Sequence, residues 1–368
     1  MAMTEEGRCR ELEARVLSYH DVSFEKVLSE IAYLRDTGDS VIAGGSLAYS
    51  LGNRLSDLDL VITGPSTAHS SLVPLEHFIG SLRVDVWKLE QKLVEETFER
   101  AEDALAGEGL VLGSFGDVDR EDELKLLHRI IYGITIDGPH LQLASTRNHR
   151  VVATNLVVRE YGERMRSSAL LAQLAIQADR PLAAVFNARL AVEAALNASV
   201  VERGLPFTGD KWLRERLAGQ AADLATLHDP FRELPIDPDT AGADFVEEAI
   251  ATCRRLWGLA LQIEDVSRFA RWSNPDLSMH EVGDECMLIS AKHGVLIGVD
   301  LLEAEAWRGL SSDSGKTEPS VWGVDECGGS AATLSYQLYE RGLLDLEWER
   351  GVPISELHSR KEAARDRH

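Results

Sequence analysis

Residues 44–59 read Gly44-Gly45-Ser46-Leu47-Ala48-Tyr49-Ser50-Leu51-Gly52-Asn53-Arg54-Leu55-Ser56-Asp57-Leu58-Asp59. Val41-Ile42-Ala43, just before it, is a short β-branched run, which reads as a buried strand entering a tight turn. Glycine there lets the backbone come close to a ligand and adopt φ > 0. Ser46 is placed to cap a following helix over Leu47–Leu51, whose free N–H groups favour an anion. Gly52-Asn53 is a plausible stop for that helix.

Ser56 to Ile62 then has the pattern of a strand. Alternate side chains of a strand share a face, so Asp57 and Asp59 point one way while Leu58 and Leu60 point into the core. Two carboxylates at that separation repel unless a cation lies between them, and their hard oxygens suit Mg²⁺. Leu82-Arg83-Val84-Asp85-Val86-Trp87 is a second alternating strand, with Arg83, Asp85 and Trp87 on one face. If it neighbours the first, Asp85 joins the cluster, either as ligand of a second metal or as the base for an attacking hydroxyl. Taken singly, an Asp-x-Asp is usually a solvated strand end and a Gly-Gly-Ser usually a turn. It is their joint order that points to chemistry.

On Gly45, Ser46, Asp57, Asp59 and Asp85 the chain resembles the DNA polymerase β-like nucleotidyltransferase superfamily, and within it the small-molecule (antibiotic) nucleotidyltransferases. The resemblance covers residues 20–140, with the helix expected over 123–133 and the strand over 134–138 similar to the end of such domains. It implies an α+β head with a mixed sheet flanked by helices. It also implies Mg²⁺-dependent transfer of a nucleoside monophosphate from an NTP, ATP in the first instance, with release of pyrophosphate. Carried over by position, Gly45 and Ser46 contact the phosphates, Asp57 and Asp59 hold two metal ions, and Asp85 is the third carboxylate. The motif does not specify the acceptor.

The net charge of −23 disfavours DNA or RNA, which are gripped through cationic contacts. A small-molecule acceptor is therefore expected, and a cationic one gains from the field. The four cysteines are scattered with no Cys-x-x-Cys unit, which reads as reduced structural thiols rather than a zinc site. No apolar run of about 18 residues stands out, so no membrane span is expected. The acidic N-terminus lacks a signal-peptide layout, so the expected location is the cytoplasm. His128 reads as a helix-surface residue.

Residues 1–145 are expected to form the catalytic head, 146–273 an all-helical substrate domain, 274–350 a winged-helix-like domain, and 351–368 a tail. In the head, Ser23 opens the second of two N-terminal helices. In the helical segment, helices are expected over 169–178, 181–203 and 244–269, with Leu190 on the apolar face of the second. Residues 230–239 read as a loop and Ser273-Asn274-Pro275-Asp276 as a boundary. Thr208 or Asp210 is placed to cap a helix beginning near Lys211. Lys211 has two readings: a solvated lysine, or the cation that the resemblance implies must reach the triphosphate from outside the head.

In the last segment strands are expected over 287–290, 294–299 and 342–348, helices over 301–310 and 331–341, and a loop over 311–330. That order resembles the PqqD-like winged-helix domains that recognise leader peptides. A peptide acceptor is the alternative it implies. A structural wing, or one joining a homodimer, is the plainer reading. A non-catalytic nucleotide sensor or toxin–antitoxin partner is the competing class, against which the intact carboxylate set speaks.

Overall fold

A computed structural model describes residues 4–64, 71–106, 120–139, 149–205, 209–258, 270–274, 277–282, 285–290, 295–299, 301, 304–305, 320–323 and 330–348. Its contacts group the chain into two compact units. One is Met1–Glu160 with Asn197–Ala225, and the other is Tyr161–Leu196 with Thr226–His368. These divisions fall within helices, not at the composition changes near 145 and 273. The chain is mixed helix and sheet, as the α+β expectation had it.

In the first unit, α1 (Glu5–His20) is capped by Thr4, whose hydroxyl accepts from the Gly7 N–H at 3.2 Å, with Glu5 and Glu6 facing the positive helix end. Asp21, in the left-handed region, ends it. Ser23 caps α2 (Phe24–Glu30), as the sequence suggests. Strands β1 (Ser40–Gly44), β2 (Leu58–Gly64), β3 (Ser71–Ile79), β4 (Leu82–Glu90) and β5 (Ile134–Asp137) form one mixed sheet in the order β3-β4-β2-β1-β5. Only the β2–β4 pair is parallel. Between β1 and β2 lies α3 (Gly45–Ala48), and α4 (Gln91–Ala106) and α5 (Arg120–Tyr132) lie between β4 and β5 in sequence.

Every residue of β1 and β2 is buried, because β-branched and aliphatic runs inside a sheet must be covered on both faces. Leu12, Val16, Phe24, Val27 and Ile31 of the N-terminal helices share one core with Leu58, Leu60, Ile62, Val84 and Val86. Each such side chain contributes about 1.5–3 kcal/mol on burial.

His128 corrects the surface reading. It is fully buried, its ring stacks on Tyr132 at 5.1 Å, and Nε2 donates to the Ala153 carbonyl at 3.2 Å, Ala153 lying on α6 (His149–Gln177). An apolar face on α5 is visible in sequence, but not that α6 covers its other side. Burial lowers the His128 pKa to about 4, helped by Arg216 and opposed by the Ala153 hydrogen bond. The unfolded chain takes up this proton near 6.5, so His128 contributes stability above that pH and loses it as pH falls towards 4. The loss amounts to roughly 2–3 kcal/mol by pH 4.5. Urea unfolding at pH 7.5 and 4.5 should show a smaller acid loss for His128→Gln. An equal loss would exclude this cause.

The remainder of the first unit holds a short 3₁₀ turn (Asp210–Trp212), α8 (Leu213–Gln220) and part of α9 (Ala222–His228). Gly209 occupies the cap position there. Asp210 instead accepts from Asn197 Nδ2 at 2.9 Å, while Thr208 lies outside the described residues.

The second unit carries most of α7 (Pro181–Glu202) and all of α10 (Pro238–Trp257). The first of the three expected helices, 169–178, is the end of the 29-residue α6. The third starts earlier than expected and ends sooner. Pro238 suits a first turn whose N–H groups have no helical partner, and Gly258 (φ 62) closes the helix. Residues 259–269 lie outside the described part. A 3₁₀ turn over Asp229–Phe231 occupies part of the expected 230–239 loop.

Leu190 is 36% exposed, off the face assigned to it. α7 is apolar nearly all round, so periodicity fixes its phase poorly. It is also the one described helix long and apolar enough to cross a membrane, where no such run was expected. Of that apolar window 67% is buried in the protein, as in a core helix.

Further on, β6 (Ala270–Asn274), β10 (Ser320–Gly323) and β11 (Asp345–Trp348) form one antiparallel sheet, β10-β6-β11. β7 (Leu277–Val282), β8 (Glu285–Ser290) and β9 (Val295–Val299) form another. The expected helix over 331–341 is α11 (Ser330–Glu340), ended by Gly342 at φ 68. β6 takes up Ser273 and Asn274, read as a boundary, and β10 lies inside the expected 311–330 loop. Such short polar strands owe their state to pairing, not to propensity. Of the expected 301–310 helix, Leu301, Ala304 and Glu305 are helical and the rest lies outside the described residues, as does the 351–368 tail.

Candidate functional site

Pairing across the sheet sets the site. Gly44 on β1 is in register with Asp59 on β2, Asp59 with Asp85 on β4, and Asp85 with Glu76 on β3. In-register neighbours share a face, and strands lie about 4.8 Å apart. One row therefore carries three adjacent carboxylates beginning at the Gly44-Gly45 turn. β3 separates β2 from β4 in sequence, yet the chain returns so that the two aspartate strands are neighbours. Glu76 was not singled out by the sequence.

Gly45 has φ 71, and a Cβ there would overlap Asp59 Oδ2 and lie 2.7 Å from its Cγ. The turn is thus pressed directly onto the carboxylate. A Cβ on Gly44 would lie 2.7 Å from Arg129 Cβ. Both glycines are needed for close approach, Gly45 also for its backbone.

Asp59 is buried and accepts from Arg129 Nη2 at 3.1 Å. Burial is the largest influence on its proton affinity. Arg129 opposes it, the charges of Asp57 and Asp85 add to it, and the pKa rises to about 6. Asp85 accepts from Arg83 through both oxygens, at 3.0 Å from Nε and 3.1 Å from Nη2, and Arg83 Nη2 also reaches Glu76 at 2.8 Å. Asp57 is half-buried and has no hydrogen-bond or ion-pair partner among the described residues. Tyr49 donates to the His128 carbonyl at 3.0 Å, and burial pushes its hydroxyl well above the usual tyrosine range, so it is no acid or base.

Ser46 does not cap its helix. Gly44 holds that position, and α3 is a single turn. Ser50 turns left-handed at φ 63, and the Leu51 and Gly52 N–H groups fold back onto the Ser46 carbonyl at 3.0 and 2.9 Å. One turn is too short for the anion site expected of a full helix end. Lys211 is exposed, its Nζ 5.3 Å from the Trp212 ring, and no ion pair joins it to Asp57, Asp59 or Asp85.

Among the described residues, no three His, Cys, Asp or Glu side chains surround one point closely enough to hold a metal. The carboxylates are adjacent but turned to arginines. Their chemistry nonetheless fits Mg²⁺: hard oxygens, one of them on an open Asp57, and two guanidinium groups against four carboxylates.

Neither a family model nor a curated protein matches this chain. Among solved structures it is similar to a nucleotidyltransferase-like protein from Exiguobacterium sibiricum 255-15. The identity is 13%, over 67% of this chain and 74% of the other, with a TM-score of 0.33. A likeness that slight carries no argument about fold or activity, and the functional reading rests on the residues.

Proposed function

We propose that this chain is a nucleotidyltransferase. It moves a nucleoside monophosphate from an NTP, ATP in the first instance, to a hydroxyl of a small molecule. The observation that supports this most directly is the carboxylate row Asp59–Asp85–Glu76, with Asp57 beside it and a glycine turn pressed on Asp59. Asp59 and Asp85 are buried side by side, and a solvated strand end has no reason to bury mutually repelling acids; such an arrangement costs stability and is kept where chemistry needs it.

In this reading Asp57 and Asp59 hold Mg²⁺, which when bound neutralises charge on the NTP phosphates. The Gly44-Gly45 turn packs against Arg129 and Asp59 and fixes where that carboxylate stands. Asp85 accepts the acceptor's hydroxyl proton, for which one of its oxygens must leave Arg83. The acceptor oxygen bonds to the α-phosphorus, the bond to the β-phosphate oxygen breaks, and pyrophosphate departs. The chain's part is mainly placement and charge. The net charge of −23 favours an uncharged or cationic acceptor such as an amino sugar.

The test is pyrophosphate release from each labelled NTP with Mg²⁺ and a panel of hydroxyl acceptors. Wild type should turn over and Asp57→Asn/Asp59→Asn should not. Nucleotide binding without release across the panel would count against the enzyme.

A pH dependence follows from Asp59. Its raised pKa keeps it protonated in acid, and a proton blocks the same oxygens as a metal. Mn²⁺ affinity, followed by electron paramagnetic resonance, should be flat above pH 7 and fall about tenfold per unit below about 6. A midpoint near 4 would show that burial does not govern the site.

A further inference from the structure

Arg129 is where the site's contacts converge, and nothing in the pattern of its helix marks it out. Its Cβ lies where only Gly44 lets it lie, and its guanidinium stands 4.3 Å above the Trp87 ring while Nη2 meets Asp59 Oδ1. The side chain is 21% exposed. Its Nε is buried with no hydrogen-bond partner among the described residues. The pair is therefore single-pointed, unlike the two-pronged grip of Arg83 on Asp85.

Asp59 Oδ2 is pressed against Gly45, so Oδ1 is the oxygen more open to a cation, and Arg129 has it. A divalent ion binds a carboxylate oxygen at about 2.1 Å. That would put it within roughly 3–5 Å of the guanidinium, where like charges in a partly buried site repel strongly. The two cannot share Oδ1. Trp87 offers the displaced guanidinium a surface that it already touches, and its free donors suit phosphate oxygens.

We propose that Arg129 is the resident counter-ion of this site, holding Asp59 in the metal-free protein and yielding it to a divalent cation, so that guanidinium and metal compete for one oxygen. This rests on the nucleotidyl-transfer reading for the metal, and adds a gate to it. Arg129 is a positioning residue that acts through Asp59.

The experiment uses the full chain. Mn²⁺ binding is measured by electron paramagnetic resonance for wild type, Arg129→Gln and Arg129→Lys, and tryptophan emission is followed during Mg²⁺ addition for wild type and Trp87→Phe. Removing a competitor raises apparent affinity by the fraction of sites it had blocked. Arg129→Gln should bind Mn²⁺ about tenfold more tightly, and Arg129→Lys should stay near wild type. Mg²⁺ should change wild-type emission, and Trp87→Phe should lack that change. Equal or weaker Mn²⁺ binding by a folded Arg129→Gln overturns the competition and leaves the transfer reaction standing. Failure of all three proteins to bind Mn²⁺ overturns both. If Arg129→Gln does not fold, the emission pair decides, and a Mg²⁺ response independent of Trp87 overturns the proposal.

Discussion

Asp59→Asn should lower pyrophosphate-releasing turnover by about 10²–10³-fold or more while leaving the fold at least as stable at pH 7.5. The loss follows from charge. Asparagine keeps the shape and one acceptor oxygen for Arg129, but has no anion to hold a cation over the transferring phosphate, and such preorganised charge is the largest part of this kind of catalysis.

The stability half has the opposite sign from most aspartates. Asp59 is more basic in the folded protein, about 6, than in a free chain, because burial and the charges of Asp57 and Asp85 outweigh Arg129. The folded state therefore holds the proton more firmly between pH 4 and 6. The stabilisation from neutral Asp59 is present in acid and is lost as pH rises through about 6, amounting to roughly 3 kcal/mol. Neutral asparagine escapes that loss. Urea unfolding should show wild type weakening from pH 5 to 7.5 relative to the variant. Lost turnover with kept or raised stability is the mark of a strained functional group. A variant that turns over normally, or that is several kcal/mol weaker, would make Asp59 a structural anchor instead.

The part of this site that could be read in the sequence is the part governed by alternation and turns. Gly45, Asp57 and Asp59 lie within one strand-turn-strand stretch, and period-two spacing puts Asp85 on the same face as Arg83 and Trp87. Whether β4 lies beside β2 is a matter of topology. β3 intervenes in the chain, and a meander would have kept the two aspartate strands apart. The parallel register Asp59↔Asp85 is what joins them. Glu76 needed that same register.

Arg129 was illegible for a different reason. It sits 70 positions beyond Asp59 on a helix recognised only as the end of the domain, and nothing in that helix's own pattern says which polar residue faces the sheet. The same gap hid His128, whose cover comes from α6. Ser46 is not a cap because α3 begins one residue before it, with Gly44 at the cap position, and Ser50 stops the helix after one turn. In the second half, β6 and β10 are short and partly polar, so their state is decided by partners far along the chain.

Gly45→Ala should damage both stability and turnover, and the reason separates into two measurable parts. At φ 71 a non-glycine residue costs about 1–2 kcal/mol wherever it stands. Gly38, at φ 95 with nothing within 4 Å of its would-be Cβ, offers that cost alone. Gly38→Ala should therefore lower stability by about that amount and leave turnover intact. At Gly45 the new methyl also overlaps Asp59 Oδ2 and crowds its Cγ, which adds about 1–3 kcal/mol of overpacking unless the carboxylate moves. If it moves, it leaves the row with Asp85 and its contact with Arg129, and a displacement of about 1 Å is enough to cost 10²-fold in rate. A double-mutant cycle distinguishes the two routes. Asp59→Ala in the Gly45→Ala background removes the Oδ2 and Cγ contacts and leaves only Asp59 Cβ at 3.1 Å, so the two changes should couple by about 1 kcal/mol or more. Additive effects would mean that the turn and the carboxylate are independent, and that the glycine serves its own backbone rather than the site.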